Sequence, residues 1–226
     1  MQTVILDFNT RVEEINKYFL FLEELISEKT KLSTLDNNGN IQIQEVDSEL
    51  VKTLKANSFL LLYNLIESSM TNAIEAIFDK LINENVSFND VRLEIKRVIV
   101  QNFKNRSPEG VHSQITDISL DIIKVGFNRK EIFSGNIDAK KITKTATQYG
   151  FSYDTDYEKT KHGKSLRDIK NIRNDLAHGY TSFSEIGKDK TIEDLIKIKN
   201  EVVEYLNQIL INIQSYLNLK KYLDQP

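Results

Sequence analysis

Val12, Ile15, Phe19, Leu22 and Ile26 recur at three- and four-residue steps, an apolar stripe that predicts a helix near the start of the chain. Tyr18, Phe21 and Leu25 widen the stripe, so this helix is expected to meet more than one neighbour. Ahead of it, Thr3 to Phe8 alternates and reads as a short extended segment. Residues 34–47, TLDNNGNIQIQEVD, read as a loop without lysine or arginine, in which Ile41, Ile43 and Val46 suggest a short strand. A second long helix is predicted over 48–83. Leu50 and Leu54 open its stripe, and Leu62, Ile66, Met70, Ile74, Ile77 and Leu81 continue it. Ser87-x-x-Asp90 has the form of a cap for a third helix containing Val91, Ile95, Val98 and Ile99.

Further along, FKNRSPEGVHSQ at 103–114 reads as a loop and 115–127 as a short apolar helix. Asp138 is placed to cap a helix on which Ile142, Ala146 and Tyr149 share one face while Lys140 and Lys144 point away. Residues 150–164 look irregular. Leu166, Ile169, Ile172 and Leu176 then mark a helix that runs into RNDLAHGY, residues 173–180. Thr191-x-x-Asp194 caps the last element, whose stripe is Leu195, Ile198, Val202, Ile209, Ile213 and Tyr216. The pattern predicts an all-α bundle of long helices with additional helical segments. A single domain over 1–226 is expected, with loops at 84–90, 104–114 and 150–164; the alternative divides the chain near 107.

Composition sharpens this picture in a few places. Two prolines and eight glycines leave room for long helices, and the absence of cysteine removes disulfides, thiol chemistry and cysteine-based zinc sites. The first residues, MQTVILDFNTRVEE, lack the form of an export signal, and Phe59–Tyr63 is too short an apolar run to cross a bilayer. A cytoplasmic protein without membrane contact is the expectation. A net charge of -3 argues against indiscriminate nucleic-acid binding by the whole surface. Cations are nonetheless concentrated locally: Lys159, Lys161, Lys164, Arg167, Lys170 and Arg173 are interrupted by a single carboxylate, Asp168. Lys96, Arg97, Lys104 and Arg106 form a second cluster. The first is a candidate phosphate-facing surface, the alternative being an ordinary solvated face.

The motif carries the candidate chemistry. Histidine titrates near neutrality and moves protons, and arginine offers a charged fork to phosphate. Asn174 can orient the histidine or the backbone, and Tyr180 can donate a hydrogen bond or stack on a base. Asn174 and His178, four apart, share a helix face, whereas Arg173 and His178 are turned about 140° from one another. Arg173 and His178 therefore converge only if the helix loosens near Gly179 or if a second subunit supplies one of them. The structural alternative is that His178 caps the last carbonyls and Arg173 pairs with Asp175, Glu185 or another carboxylate. His112 and His162 lack ligand spacing, Tyr149, Tyr153 and Tyr157 suit packing better than a base platform, and no metal-binding motif or spaced acidic cluster is present.

With these residues the chain resembles the HEPN superfamily (higher eukaryotes and prokaryotes), whose nuclease members carry Arg-x4–6-His, often with a polar residue after the arginine. Arg173-Asn174-Asp175-Leu176-Ala177-His178 fits that motif, and Tyr180 completes an R-x4-H-x-Y form similar to HEPN toxins paired with nucleotidyltransferase antitoxins. Together with GNIDAKKITKTATQYGF at 135–151, SFSEIG at 182–187 and the last helix, it looks like the MAE_28990/MAE_18760-like HEPN group, many of whose members are small defence-associated proteins. The resemblance implies a homodimer with two motifs across a shared cleft. It also implies a metal-independent endoribonuclease that uses 2′-hydroxyl attack and leaves a 2′,3′-cyclic phosphate. In that role His178 is the acid–base group, Arg173 contacts phosphate, Asn174 supports them and Tyr180 is an accessory or modified residue. RNA is the implied substrate, an antitoxin or defence-system protein the implied further partner, and no cofactor is implied. Since some HEPN proteins bind without cutting, the alternative is a non-catalytic dimerisation module for nucleic acid or a defence partner.

Overall fold

The computed structural model describes residues 1–27, 30–104 and 135–224, with 122–124, 126, 127, 129, 132 and 133 between the last two stretches. The first element corrects the alternation expected at the N-terminus: α1 runs over Gln2–Ser27. Val4 and Phe8 lie four apart and are both buried, continuing the stripe of Ile15, Phe19 and Leu22 toward the N-terminus, while Leu6 is exposed. Two-residue alternation over so few positions is also compatible with the i, i+4 spacing of a helix, and burial of Val4 and Phe8 selects the latter. Tyr18 reaches sideways to donate a 2.6 Å hydrogen bond to the Leu54 carbonyl, but Phe21 faces solvent.

Instead of one strand, residues 31–45 form an antiparallel hairpin, β1 (Lys31–Leu35) and β2 (Ile41–Glu45), with Lys31 opposite Glu45 and Leu35 opposite Ile41. Asp36 ties its tip, accepting from the Asn38 and Asn40 amides at 2.8 and 2.9 Å, and Gly39 takes the positive φ of +81° that the reversal requires. All ten strand residues are exposed.

Asp47 then caps α2, Ser48–Asn83, the axis of the molecule. From Phe59 to Leu81 this helix is buried on several sides, because α1, the last helix and the motif helix all pack on it. Its first turns are more open, and Leu50 is exposed rather than part of the stripe. The Ser87-x-x-Asp90 segment forms a turn, Asp90 N–H bonding the Ser87 carbonyl, so α3 starts later, at Leu93, and ends at Lys104. Val91 instead pairs with Leu223 in an isolated bridge, while Ile95 and Ile99 are buried as expected. Of the loop expected to 114 and the helix expected over 115–127, residues 105–121 lie outside the described residues, while 122–124 are helical.

α4, Ala139–Tyr149, begins at Asp138, whose carboxylate accepts from the Lys141 amide at 2.9 Å. The same carboxylate receives Lys170 at 2.8 Å, with both side chains largely covered. Burial alone would raise the Asp138 pKa, but the Lys170 ammonium and the Lys141 amide together hold it below the ordinary value. A depressed native pKa means that this stabilisation is present above the unfolded carboxylate value, about 3.9, and is lost as pH falls through the native one. Asp138→Asn keeps a capping oxygen but loses the ion pair, and is expected to cost about 1–3 kcal/mol at neutral pH. Thermal unfolding of both proteins should differ at pH 7 and converge toward pH 3; an equal gap at both would exclude this assignment.

Residues 150–164 are less irregular than expected. A short helix, α5 (Tyr157–Thr160), is followed by a left-handed turn in which Lys161, His162 and Gly163 all have positive φ. α6 follows over Lys164–Ala177, α7 over Phe183–Lys188 and α8 over Ile192–Asn218. Both α7 and α8 begin with complete capping boxes, Ser182/Glu185 and Thr191/Asp194. One contiguous apolar cluster extends from Val4 to Tyr222, and α8 contributes Val202, Leu206, Ile209 and Ile213 to it. Among the described residues no helix is long and apolar enough to cross a membrane.

Candidate functional site at the end of α6

α6 is amphipathic: Leu166, Ile169 and Leu176 are buried, while Lys164, Arg167 and Asn171 are exposed. The helix stays regular through Ala177, with His178 as its C-cap at φ −94°. Gly179 then adopts φ +69° and the chain closes in a Schellman motif. His178 N–H bonds the Asn174 carbonyl at 2.9 Å, Gly179 N–H the Leu176 carbonyl at 3.3 Å, and Tyr180 N–H the Asp175 carbonyl at 2.9 Å. Three backbone amides thus satisfy the carbonyls that a terminal histidine side chain would otherwise cap. The His178 side chain is exposed, and among the described residues its ring meets only that of Tyr180, at 5.6 Å between centroids and tilted by 32°.

Arg173 is held elsewhere. Its Nη1 donates to the Gly135 carbonyl at 3.3 Å and to Asn174 Oδ1 at 2.9 Å, and its guanidinium lies over the Tyr63 ring at 4.6 Å. Among the described residues no carboxylate forms an ion pair with it, and the pairing with Asp175 or Glu185 is not made. Asn174 donates in turn to Asn136 Oδ1 at 2.9 Å. Its hydrogen bonds therefore orient the arginine rather than the histidine. Tyr63 is itself buried, and its hydroxyl accepts from the Ile137 amide at 3.4 Å. Burial raises that phenol above its ordinary pKa, with the Ile137 hydrogen bond acting in the opposite sense. Helix α2, the 135–137 loop and α6 together fix the cation while leaving its Nη2 side toward Gly135, where the nearest position a Cβ would take is 3.7 Å away.

Sequence reading missed Tyr63, Gly135 and Asn136. Tyr63 closes an apolar run and reads as core, and the 135–136 pair precedes Arg173 by nearly forty positions, beyond any helical period. The one signal available was Asp138, a cap that marks the preceding residues as a loop beside a helix start. The loosening considered near Gly179 falls after His178 and so does not bring the ring round to Arg173. Within one chain, Arg173 and His178 have separate surroundings.

The cationic run is divided by the fold. Lys164 and Arg167 share the exposed α6 face with His178, although at about 1.5 Å per residue Lys164 is roughly 20 Å away. Lys159, on α5, and Lys161, in the left-handed turn, face Asp156 and Glu158 at 3.9 and 3.1 Å. Arg167 is 3.9 Å from Asp168, and Lys170 is taken up by Asp138. In the second cluster Lys96 donates to the Asn89 carbonyl at 2.7 Å, while the Lys104 side chain and Arg106 are outside the described residues. Tyr149 is buried, whereas exposed Tyr157 meets the His162 ring at 5.0 Å between centroids, tilted by 51°. His112 lies outside the described residues. Among those described, no three His, Asp or Glu side chains gather as a metal ion would need. A cavity of about 620 Å³ lies between α3 and α4, lined by Arg97, Gln101, Lys141 and Gln148 among others, and does not include the motif.

Comparison with known proteins supplies one match. The model of the family described as HEPN_MAE_28990/-like HEPN matches residues 1–222, nearly the whole chain. No curated protein and no solved structure matches it.

Proposed function

Because the chain belongs to the HEPN_MAE_28990/-like HEPN family, we propose that it is a dimeric, metal-independent endoribonuclease of the defence or toxin type, with the end of α6 as its catalytic surface. The observation that carries this reading is the His178 side chain, exposed and free of any capping duty because backbone amides already serve the helix end. A fixed guanidinium and an accessible imidazole are two of the groups that phosphodiester transfer uses. The imidazole accepts the proton of a 2′-hydroxyl as its oxygen attacks phosphorus. The P–O5′ bond breaks, the 5′-oxygen leaves with a proton from a second acid, and a 2′,3′-cyclic phosphate remains. Arg173 stabilises the charge that gathers on the phosphoryl oxygens. A second copy supplies the missing proximity, setting its His178 beside the Arg173 of the first and providing the second proton-transfer group.

The purified protein is expected to cleave RNA in the presence of EDTA, leaving cyclic phosphate and 5′-hydroxyl ends. Cleavage that requires added divalent ions, or that leaves 3′-hydroxyl ends, would refute the mechanism. One observation favours a second reading, a non-catalytic binding module: four of the six cations between 159 and 173 already face a carboxylate within 4.0 Å. That reading predicts saturable RNA or protein binding with the RNA left intact.

A further inference from the structure

The hairpin of β1 and β2 projects from the end of the bundle at which α2 begins, and its two sides differ. Leu35, Ile41 and Ile43 share one face with Ser33 and the Lys31–Glu45 pair, and are 73%, 67% and 66% exposed. The other face carries Leu32, Thr34, Gln42 and Gln44. Two strands alone are marginal in water, and an apolar face left uncovered makes them more so. The tip is nonetheless fully built around Asp36, which spends both carboxylate oxygens on Asn38 and Asn40. The edge of β2 lacks the lysine, proline or bulge with which exposed edges are usually protected, and its pairing register is regular throughout.

Charge decides what can cover it. Between 34 and 47 the chain has Asp36, Glu45 and Asp47 and no cation. Over the wider stretch 20–50, which includes exposed Leu20, Phe21 and Leu50, seven carboxylates stand against two lysines. A second copy would bring the same negative charge to meet its own, and RNA would be repelled. We propose that the hairpin is a docking arm for a basic, strand-forming segment of another protein. That segment adds to the β2 edge, continues the face of Leu35, Ile41 and Ile43 with its own apolar residues, and sets its lysines or arginines toward Asp36 and Glu45.

The test needs no RNA and so is separate from the fate of the motif. The full chain is titrated calorimetrically with a peptide of about eight residues, strand length, alternating valine and lysine, and with its valine–glutamate counterpart. The lysine peptide should bind at least about tenfold tighter, and its affinity should fall as salt is raised. Ile41→Ser/Ile43→Ser should abolish binding without altering thermal unfolding of the bundle. Glu45→Lys, which leaves the apolar face in place, should shift preference toward the glutamate peptide. Equal binding of the two peptides, or no binding of either, would overturn the proposal. So would sedimentation showing that the serine variant loses self-association, since the occupant would then be a second copy.

Discussion

Replacing His178 by alanine is expected to lower RNA cleavage by at least about 100-fold, the lower bound for a positioned acid–base group, with no change in thermal stability. The two readouts separate because this side chain does so little for the fold. It is exposed, its one ring contact among the described residues is with exposed Tyr180, and the helix end is closed by the backbone of His178, Gly179 and Tyr180. Arg173 offers no such separation, since its removal would also strand the Gly135 carbonyl, Asn174 and the Tyr63 face. Single-turnover cleavage in EDTA, alongside a melting curve, checks the point. Undiminished cleavage by the alanine protein would end the catalytic assignment, whereas a large drop in melting temperature would show that the ring is structural after all.

Gly187→Ala should have the largest effect on stability, about 3 kcal/mol or more. Gly187 is buried in α7 where that helix crosses the start of α2, and a Cβ there would stand 2.6 Å from the carbonyl carbon of Lys52 and 2.8 Å from its Cα. Those are backbone atoms in a helix, so neither side can yield by turning a side chain. α7 must lift from α2, loosening the Ser184–Glu49 and Lys55–Lys190 hydrogen bonds that hold the chain leaving the motif. Cleavage is therefore expected to fall together with stability, unlike the His178 case. Chemical denaturation reads the first effect, and a midpoint unchanged from the parent would mean that the helices do not approach so closely.

What could be read from the sequence follows from the range over which each signal acts. Asp138 and Thr191 were legible as caps because a cap and its amide lie three residues apart. The stripes of α2 and α8 were legible because burial repeats with the helical period. Ser182-x-x-Glu185 was equally local and still went unread as a helix start, its six residues being too few to draw a stripe. Ser87-x-x-Asp90 carried the same kind of pattern but made only a turn, since Val91 is committed to Leu223 at the far end of the chain. The exposed strands gave little hydrophobic contrast to read. At the candidate site the split is the same. His178 and Gly179 belong to one local motif, whereas the surroundings of Arg173 come from α2 and from the loop before α4, and only folding brings them together.

The anchoring of Arg173 against Tyr63 has a consequence for how a substrate would be received. An aromatic plate on a 36-residue helix gives the guanidinium a nearly fixed address, while the imidazole hangs from a helix tip with two torsions to turn. In the proposed reaction such a pair would measure its substrate from one end. The phosphate would come to the cation and take its register there, and the imidazole would then swing to whichever oxygen that register presents.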